Sequence, residues 1–511
     1  MSPSLIVRLR SLVVLLTLAL FAVPAVAQTP GAPAIHFEKY KLKNGLEVIL
    51  SQDHRLPMVA VNLWYHVGPA NERPGRTGFA HLFEHMMFQG SKHVGDDQHF
   101  KLLEGSGASD INGTTDFDRT NYFETLPSNQ LELALWLESD RMGYLLDTLE
   151  QAKFTTQIDV VRNERRQSVE NPPYGLVEEG LFHALYPKGH PYYASVIGSH
   201  SDIEAAQLAD VREFFRQYYA PNNASLAIVG DFDSAQAKAL VEKYFGSIPA
   251  GPAVEPITAT TPPITSERRM TVADKVELPR IYVGWITSSI YKPGDAEMDL
   301  LSRILGEGKS SRLYKRLVYD DQIAQDVTAT QYSLILGSAF YIQATAKPNV
   351  KLEQIEKAID EELEKLRKEG PTHAEVDAAR NVTESRIIRR LETLGGFGGV
   401  ADRLNQYNHY LGDPGYLGRD LARYDAVTPA SVRKYAQEQL GKDARAVVYG
   451  LPGDKVIDDI PRREVAAGAP ATGTMPDEAW RAKTPAAGMA SKLVLPVPTH
   501  FRLPNGLQVY V

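Results

Sequence analysis

A chain of 511 residues exceeds what one core can hold, so two or more domains are expected. Its 43% hydrophobic and 23% charged content is that of an ordinary globular protein, and a formal net charge of -8 argues against nucleic acid or an anionic membrane surface as partner. Cysteine is absent, which excludes disulfides and a cysteine-linked lipid anchor and leaves stability to core burial.

In chain order, Arg8 and Arg10 precede an apolar run at residues 12–23, broken only by Thr17, and Pro24-Ala25-Val26-Ala27 offers a small-residue cleavage site before Gln28. That pattern predicts a secretory signal peptide over residues 1–27, too short in its apolar part to stay as a membrane span. The mature chain is therefore expected in the periplasm or outside the cell, with no membrane attachment. After a Pro/Ala/Gly leader (29–34), residues 37–51 read as strand, turn, strand around Asn44-Gly45, and residues 58–67 as a strand with Val59, Val61, Leu63 and Tyr65 alternating. A Gly/Pro loop leads to residues 79–88, FAHLFEHMMF, an apolar helix whose polar members are His81, Glu84 and His85.

Helical spacing sets the two imidazoles one turn apart on one face, with Glu84 beside them. Burying two histidines and a carboxylate costs several kcal/mol unless something compensates them. A zinc ion compensates all three, and His-x-x-Glu-His is the inverzincin spelling. The competing reading is a core helix whose imidazoles bond backbone carbonyls.

Beyond it come a short helix (96–104), a strand pair (111–126), helices at 129–149 and 152–170, a Pro172-Pro173 stop, a helix (203–219), a strand (224–231) and a helix (233–245). Residues 246–265, rich in Pro and Gly, read as a linker. The pattern then restarts: strands (268–285), helices (298–305 and 310–320), strands (325–346), and helices (352–368 and 374–391). Gly395–Gly399, GGFGG, lacks the Lys-Ser/Thr of a phosphate loop and reads as a flexible helix connection. A helix at 429–440, with Thr428 as N-cap and Pro429 first in the helix, and a strand at 444–449 close the second unit. Two similar α+β domains are expected, each a mixed sheet flanked by helices, over residues 35–250 and 266–451. Residues 452–498 read as a linker. RLPNGLQVYV (502–511) repeats KLKNGLEVIL (41–50), as though a further module began at residue 499.

His-x-x-Glu-His followed nearly eighty residues later by DVVRNE, with INGTTDFDRTNYFETLP, YYAPNNASLAIVGDFD and SSRLYKRLVYDDQIAQDV, resembles the pitrilysin-type zinc metallopeptidases over roughly residues 37–451. Spacing alone would make Glu164 an ion-pair partner of Arg162, Arg165 or Arg166. The resemblance implies instead that His81, His85 and Glu164 hold one zinc ion per chain and that Glu84 is the general base. It implies an edge strand, here with Asn112 and Gly113, on which extended peptides add as a further strand, and one half of a clamshell whose partner half is fused downstream or a separate chain. Three positions depart from the pattern. Gln157 stands where relatives often carry a further Glu, and Val318 and Gln325 stand where an Arg and a Tyr would hold a substrate carbonyl. The implied activity is endopeptidase action on varied extended peptides; the alternative in the same fold is a non-catalytic assembly subunit, which typically lacks these motif letters.

Overall fold

The computed structural model describes residues 33–457, 460–461, 475, 477–490 and 497–511. The expected signal peptide and most of the leader lie outside the described residues, as does part of the stretch read as a late linker. Residues 35–511 form one compact unit.

The first hairpin forms as read, from β1 (Glu38–Lys41) and β2 (Glu47–Gln52). Its turn needs glycine: Gly45 has φ +98°, and a Cβ there would stand 2.7 Å from that of Asn222. Next come β3 (Met58–Tyr65), α1 (Phe79–Met86), α2 (Gln98–Gly105), β4 (Ser109–Asp116), β5 (Arg119–Pro127), α3 (Leu131–Tyr144) and α4 (Gln151–Arg165). They are followed by α5 (Gly175–Leu185), α6 (His200–Ala205), α7 (Leu208–Tyr218), β6 (Ala224–Gly230) and α8 (Ser234–Phe245). The strands make one sheet in the order β1-β2-β6-β3-β5-β4, with β2 and β6 parallel. The residues expected to alternate on β3 do so: Val59, Val61, Leu63 and Tyr65 enter a core shared with Leu82 and Phe83 of α1, Phe154 and Val161 of α4, and Phe215 of α7.

The second sheet repeats that topology. Its strands are β7 (Arg268–Asp274), β8 (Arg280–Thr287), β9 (Ala324–Tyr332), β10 (Ser338–Ala346) and β11 (Arg445–Pro452), in the order β7-β11-β8-β10-β9, again with a parallel β7/β11 pair. Between them lie α9 (Asp295–Gly306), α10 (Leu352–Glu369), α11 (His373–Arg390), α12 (Val400–Leu411), α13 (Leu417–Asp425) and α14 (Pro429–Gln439). Thr428 caps α14 as expected, accepting from Ser431 N at 3.0 Å.

Helices are exchanged between the sheets. Helix α5, from the first half of the chain, covers β7, β8 and β11. Val177, Leu181 and Leu185 approach so closely that a Cβ at Gly284 would meet Leu181 at 2.8 Å and one at Gly450 would meet Val177 at 2.8 Å. In return α12, from the second half, lays Val400, Ala401 and Leu404 on Ile49, Ala60, Ala227 and Val229, the outer face of the first sheet.

Several expectations need correction. Sequence reading passed over α5, α12 and α13. The helix expected over 203–219 is two helices, broken at Ala206 and Gln207. The segment at 310–320 is wound as a wide π turn over Tyr314–Asp320, and α4 ends in another over Arg166–Glu170. The GGFGG connection is pinned rather than flexible: Asp402 accepts from Gly398 N at 2.8 Å, Val400 N donates to Thr393 O at 3.0 Å and Ala401 N to Leu394 O at 3.0 Å. Within the stretch read as a linker, residues 477–490 lie against the first unit. Arg481 is fully buried and donates to Tyr244 O at 2.6 Å, its carbonyl accepts from Trp136 Nε1 at 2.9 Å, and Asp477 pairs with His93 and Lys92. The terminal hairpin, β12 (His500–Arg502) and β13 (Gln508–Tyr510), copies the bonds of the first turn. Leu503 N donates to Leu507 O at 2.9 Å as Leu42 N does to Leu46 O. Leu46 is buried, whereas Leu507 is 59% exposed.

Candidate metal centre

Helix α1 starts sharply. Gly78 has φ +84°, and a side chain there would strike Ile197 O at 2.5 Å. The half-buried Glu72 carboxyl accepts from Gly78 N at 3.0 Å and Ala80 N at 2.8 Å, satisfying two N–H groups at the helix start. Burial pushes that carboxyl up to about 7. The apolar residues Phe79, Leu82, Phe83 and Met86 anchor the helix in the core, so its remaining face carries His81, Glu84 and His85 outward.

Helix α4 brings Glu164 to the two imidazoles. His85 Nε2 lies 3.0 Å from Glu164 Oε2 and His81 Nε2 lies 3.5 Å from Oε1, with the two rings 4.8 Å apart. Both imidazoles hydrogen-bond the carboxylate, His81 foremost, and hold Glu164 far below the usual carboxylate range. These three residues offer one ligand atom each within a common sphere. A tetrahedral zinc with bonds of about 2.0–2.1 Å requires its ligand atoms about 3.3 Å apart, and the two observed separations bracket that value. Two nitrogens and one oxygen, with Glu164 still 39% exposed, leave a position open to solvent. The donor set therefore fits a catalytic zinc.

Strand β4 is the sheet edge and runs beside this helix. Thr115 Oγ1 donates to Glu84 Oε2 at 2.6 Å, fixing that carboxylate against the strand. Gly113, two residues back on the same face, leaves the space that Glu84 occupies: a Cβ would stand 2.9 Å from Glu84 Cγ. Asn112 points to the other face, its Oδ1 accepting from Gly113 N at 2.9 Å. The structure thus gathers His81, His85, Glu164, Glu84 and Gly113 at one place, with Asn112 on its rim. Gln157 is buried on α4, Val318 packs against the second core, and Gln325 is exposed on β9. Sequence reading missed Thr115 and Glu72. The alternation of β4 carried the signal for Thr115, which shares its face with Gly113.

His99 of α2, Glu124 of β5 and Glu138 of α3 also converge, all three buried. Arg141 answers the charge there, gripping both oxygens of Glu138 through Nε and Nη2. Burial, then the Glu138 charge, pushes the Glu124 carboxyl well up. The Arg141 guanidinium thus already pairs with one of the two carboxylates of this cluster.

Two histidines one turn apart and a facing carboxylate could hold a metal ion, with a further glutamate of the same helix bonded to the sheet edge. The comparisons give the family. Residues 47–198 match the model of the insulinase family (peptidase family M16) and residues 205–383 that of the peptidase M16 inactive domain. The zinc protease PqqE of Helicobacter pylori is 33% identical over 374 residues, covering 72% of this chain and 83% of that protein. The chain belongs to peptidase family M16. A crystal structure of a Helicobacter pylori protease superposes with a TM-score of 0.76 at 29% identity, over 82% of this chain and all of that one. The first half of the periplasmic protease PqqL of Escherichia coli shares the fold, with a TM-score of 0.66 at 20% identity over 83% of this chain and 94% of that one. The α+β fold and the relation to zinc proteases are thereby established.

Proposed function

We propose that the chain is an exported zinc endopeptidase in which His81, His85 and Glu164 hold one zinc ion and Glu84 is the general base. The convergence of His81 and His85 on Glu164, with Glu84 held on the edge strand by Thr115, carries this reading. A zinc ion bound there supplies Lewis acidity toward water and the scissile carbonyl. Glu84 takes the proton of the attacking water and passes it to the leaving amine, with Thr115 holding Oε2 in place for both transfers. An extended peptide pairs with β4 through its main chain at Asn112 and Gly113, which admits many sequences.

Export is supported by the leader read in residues 1–27 and by a relative described as periplasmic. Among the described residues no helix is long and apolar enough to cross a membrane. A second homologous half completes the chamber, because Val318 and Gln325 supply neither the Arg nor the Tyr expected at the substrate carbonyl. The solved first half of PqqL is the precedent for such a division. The test is Glu84→Gln, which leaves the ligands intact. Zinc content should stay equimolar while hydrolysis of a mixed peptide library falls on the order of 10²–10⁴-fold. Activity within a few-fold of the parent removes Glu84 from the mechanism.

A further inference from the structure

Strand β4 has two faces, and the centre described above uses one of them. Gly113 and Thr115 look toward Glu84, while Asn112, Thr114 and Asp116 stand opposite Phe123, Asn121 and Arg119 of β5 on the other face. The GGFGG connection between α11 and α12 lies on that second face. It is pressed so flat that a Cβ at Gly395 would stand 2.2 Å from Thr125 Oγ1 and one at Gly399 would stand 2.1 Å from Gly395 O. Gly396 and Gly398 take φ +71° and +84°, and Asp402 ties the turn to Trp64 and Asn121 of the sheet. Five residues are thus fixed to display one side chain. Phe397 is 62% exposed at the apex, an arrangement that burial alone would not favour.

The loop and the Arg119 side chain relate Phe397 to β4. The Cβ position of Gly396 lies 3.6 Å from Asp110 Cγ at the start of the strand. The Arg119 guanidinium lies 5.7 Å from the Phe397 ring and donates to Thr114 O at 2.9 Å. Phe397 therefore stands beside Arg119 of β5, whose guanidinium reaches the edge strand at Thr114, on the side away from the metal centre. A peptide added about 4.8 Å beyond β4 would turn alternate side chains toward that ring.

We infer that Phe397 is a specificity-determining residue, a fixed aromatic platform that selects aromatic or aliphatic side chains at substrate positions pointing away from the metal; this rests on β4 being the peptide-binding edge. Apolar side chains stack on the ring, and the Arg119 cation behind it fixes its orientation and disfavours lysine or arginine there.

The test separates this inference from the catalytic one by measuring binding as well as turnover. Peptides that differ at one position only, Phe against Ser, are titrated into the full chain carrying Glu84→Gln, with and without Phe397→Ala. The Phe peptide should bind about five- to tenfold more tightly at alternate positions, the scale of one aromatic stack, and Phe397→Ala should level the two to within about twofold. Phe397→Trp should restore the preference. A preference that survives Phe397→Ala, or binding without any such preference, overturns the platform. If the platform behaves as expected in binding while the protein with Glu84 intact cleaves none of these peptides, the catalytic reading fails and the platform stands.

Discussion

Replacing Gly113 with alanine sets a methyl group where Glu84 rests. Built on the present backbone it stands 2.9 Å from Glu84 Cγ and 3.1 Å from both Phe88 Cε2 and Tyr122 Cδ1. The two rings cannot yield: Tyr122 is fully buried, and the Arg141 guanidinium sits 4.1 Å from its ring and 5.1 Å from that of Phe88. Gly113 is not among the residues with positive φ, so alanine brings no backbone strain and the effect is steric contact alone. Glu84 must move by a few tenths of an ångström, against the 2.6 Å bond from Thr115. Overpacking of this kind costs about 1–3 kcal/mol in stability. A misplacement of about 1 Å costs on the order of 10²-fold in rate, so the smaller shift here should lower kcat/KM about tenfold. The assay is kcat/KM on a quenched peptide, with zinc measured on the same preparation, which should remain equimolar. A Gly113→Ala protein with full zinc and kcat/KM within twofold of the parent would refute the placement of the base against β4.

Removing one ligand by His81→Ala should abolish stoichiometric zinc binding in metal analysis; a full complement of zinc would remove His81 from the site. Thr115→Val deletes one hydrogen bond to a charged acceptor, worth about 1.5–3 kcal/mol, so kcat/KM should fall by an order of magnitude or more with zinc unchanged. The half-buried His66 ring, Nδ1 to Nδ1 with His409 at 2.6 Å and near Glu47, Lys39 and Lys41, is pushed down to about 4 by desolvation. Its neutral form is the one the fold favours, so this stability is complete above pH 6.5 and lost as the pH falls toward 4. The loss approaches about 3 kcal/mol. In urea titrations at pH 7 and pH 4, His66→Asn should show a correspondingly smaller fall than the parent, and equal falls would reject the assignment.

The candidate metal helix could be read in sequence because the signal is local and chemically expensive. Polar groups at His81, Glu84 and His85 on an otherwise apolar helix demand an explanation, and so does an Asn-Gly turn between alternating strands. Glu164 was not legible by the same physics: three arginines lie within two residues of it, and only resemblance chose between ion pair and ligand. Helices α5 and α12 escaped because their apolar residues face sheets far away in the chain. Gly175–Leu185 follows two prolines and looks like a continuation of a loop until β7, β8 and β11 are placed against it. Phe397 drew no attention because flexibility was inferred from glycine content, whereas the glycines are there to let the backbone lie against Thr125 and Ala60.

The exchange of α5 and α12 bears on how the chain reaches this structure. Asn405 of α12 donates to Asn62 O at 2.8 Å across 343 residues of chain, and closing a loop of that length costs on the order of 5 kcal/mol in entropy. Contacts so remote are formed late and slow the search. At about 5–20 residues per second, synthesis needs roughly 9–35 s to pass from the last strand of the first sheet to Leu404. For that interval Ile49, Ala60, Ala227 and Val229 lack Val400, Ala401 and Leu404 and have only Ile35 and Phe37 of the chain already made to lie beneath, although every strand of their sheet already exists. The nascent first half is therefore a sticky intermediate that must be shielded or kept unfolded until the second half arrives.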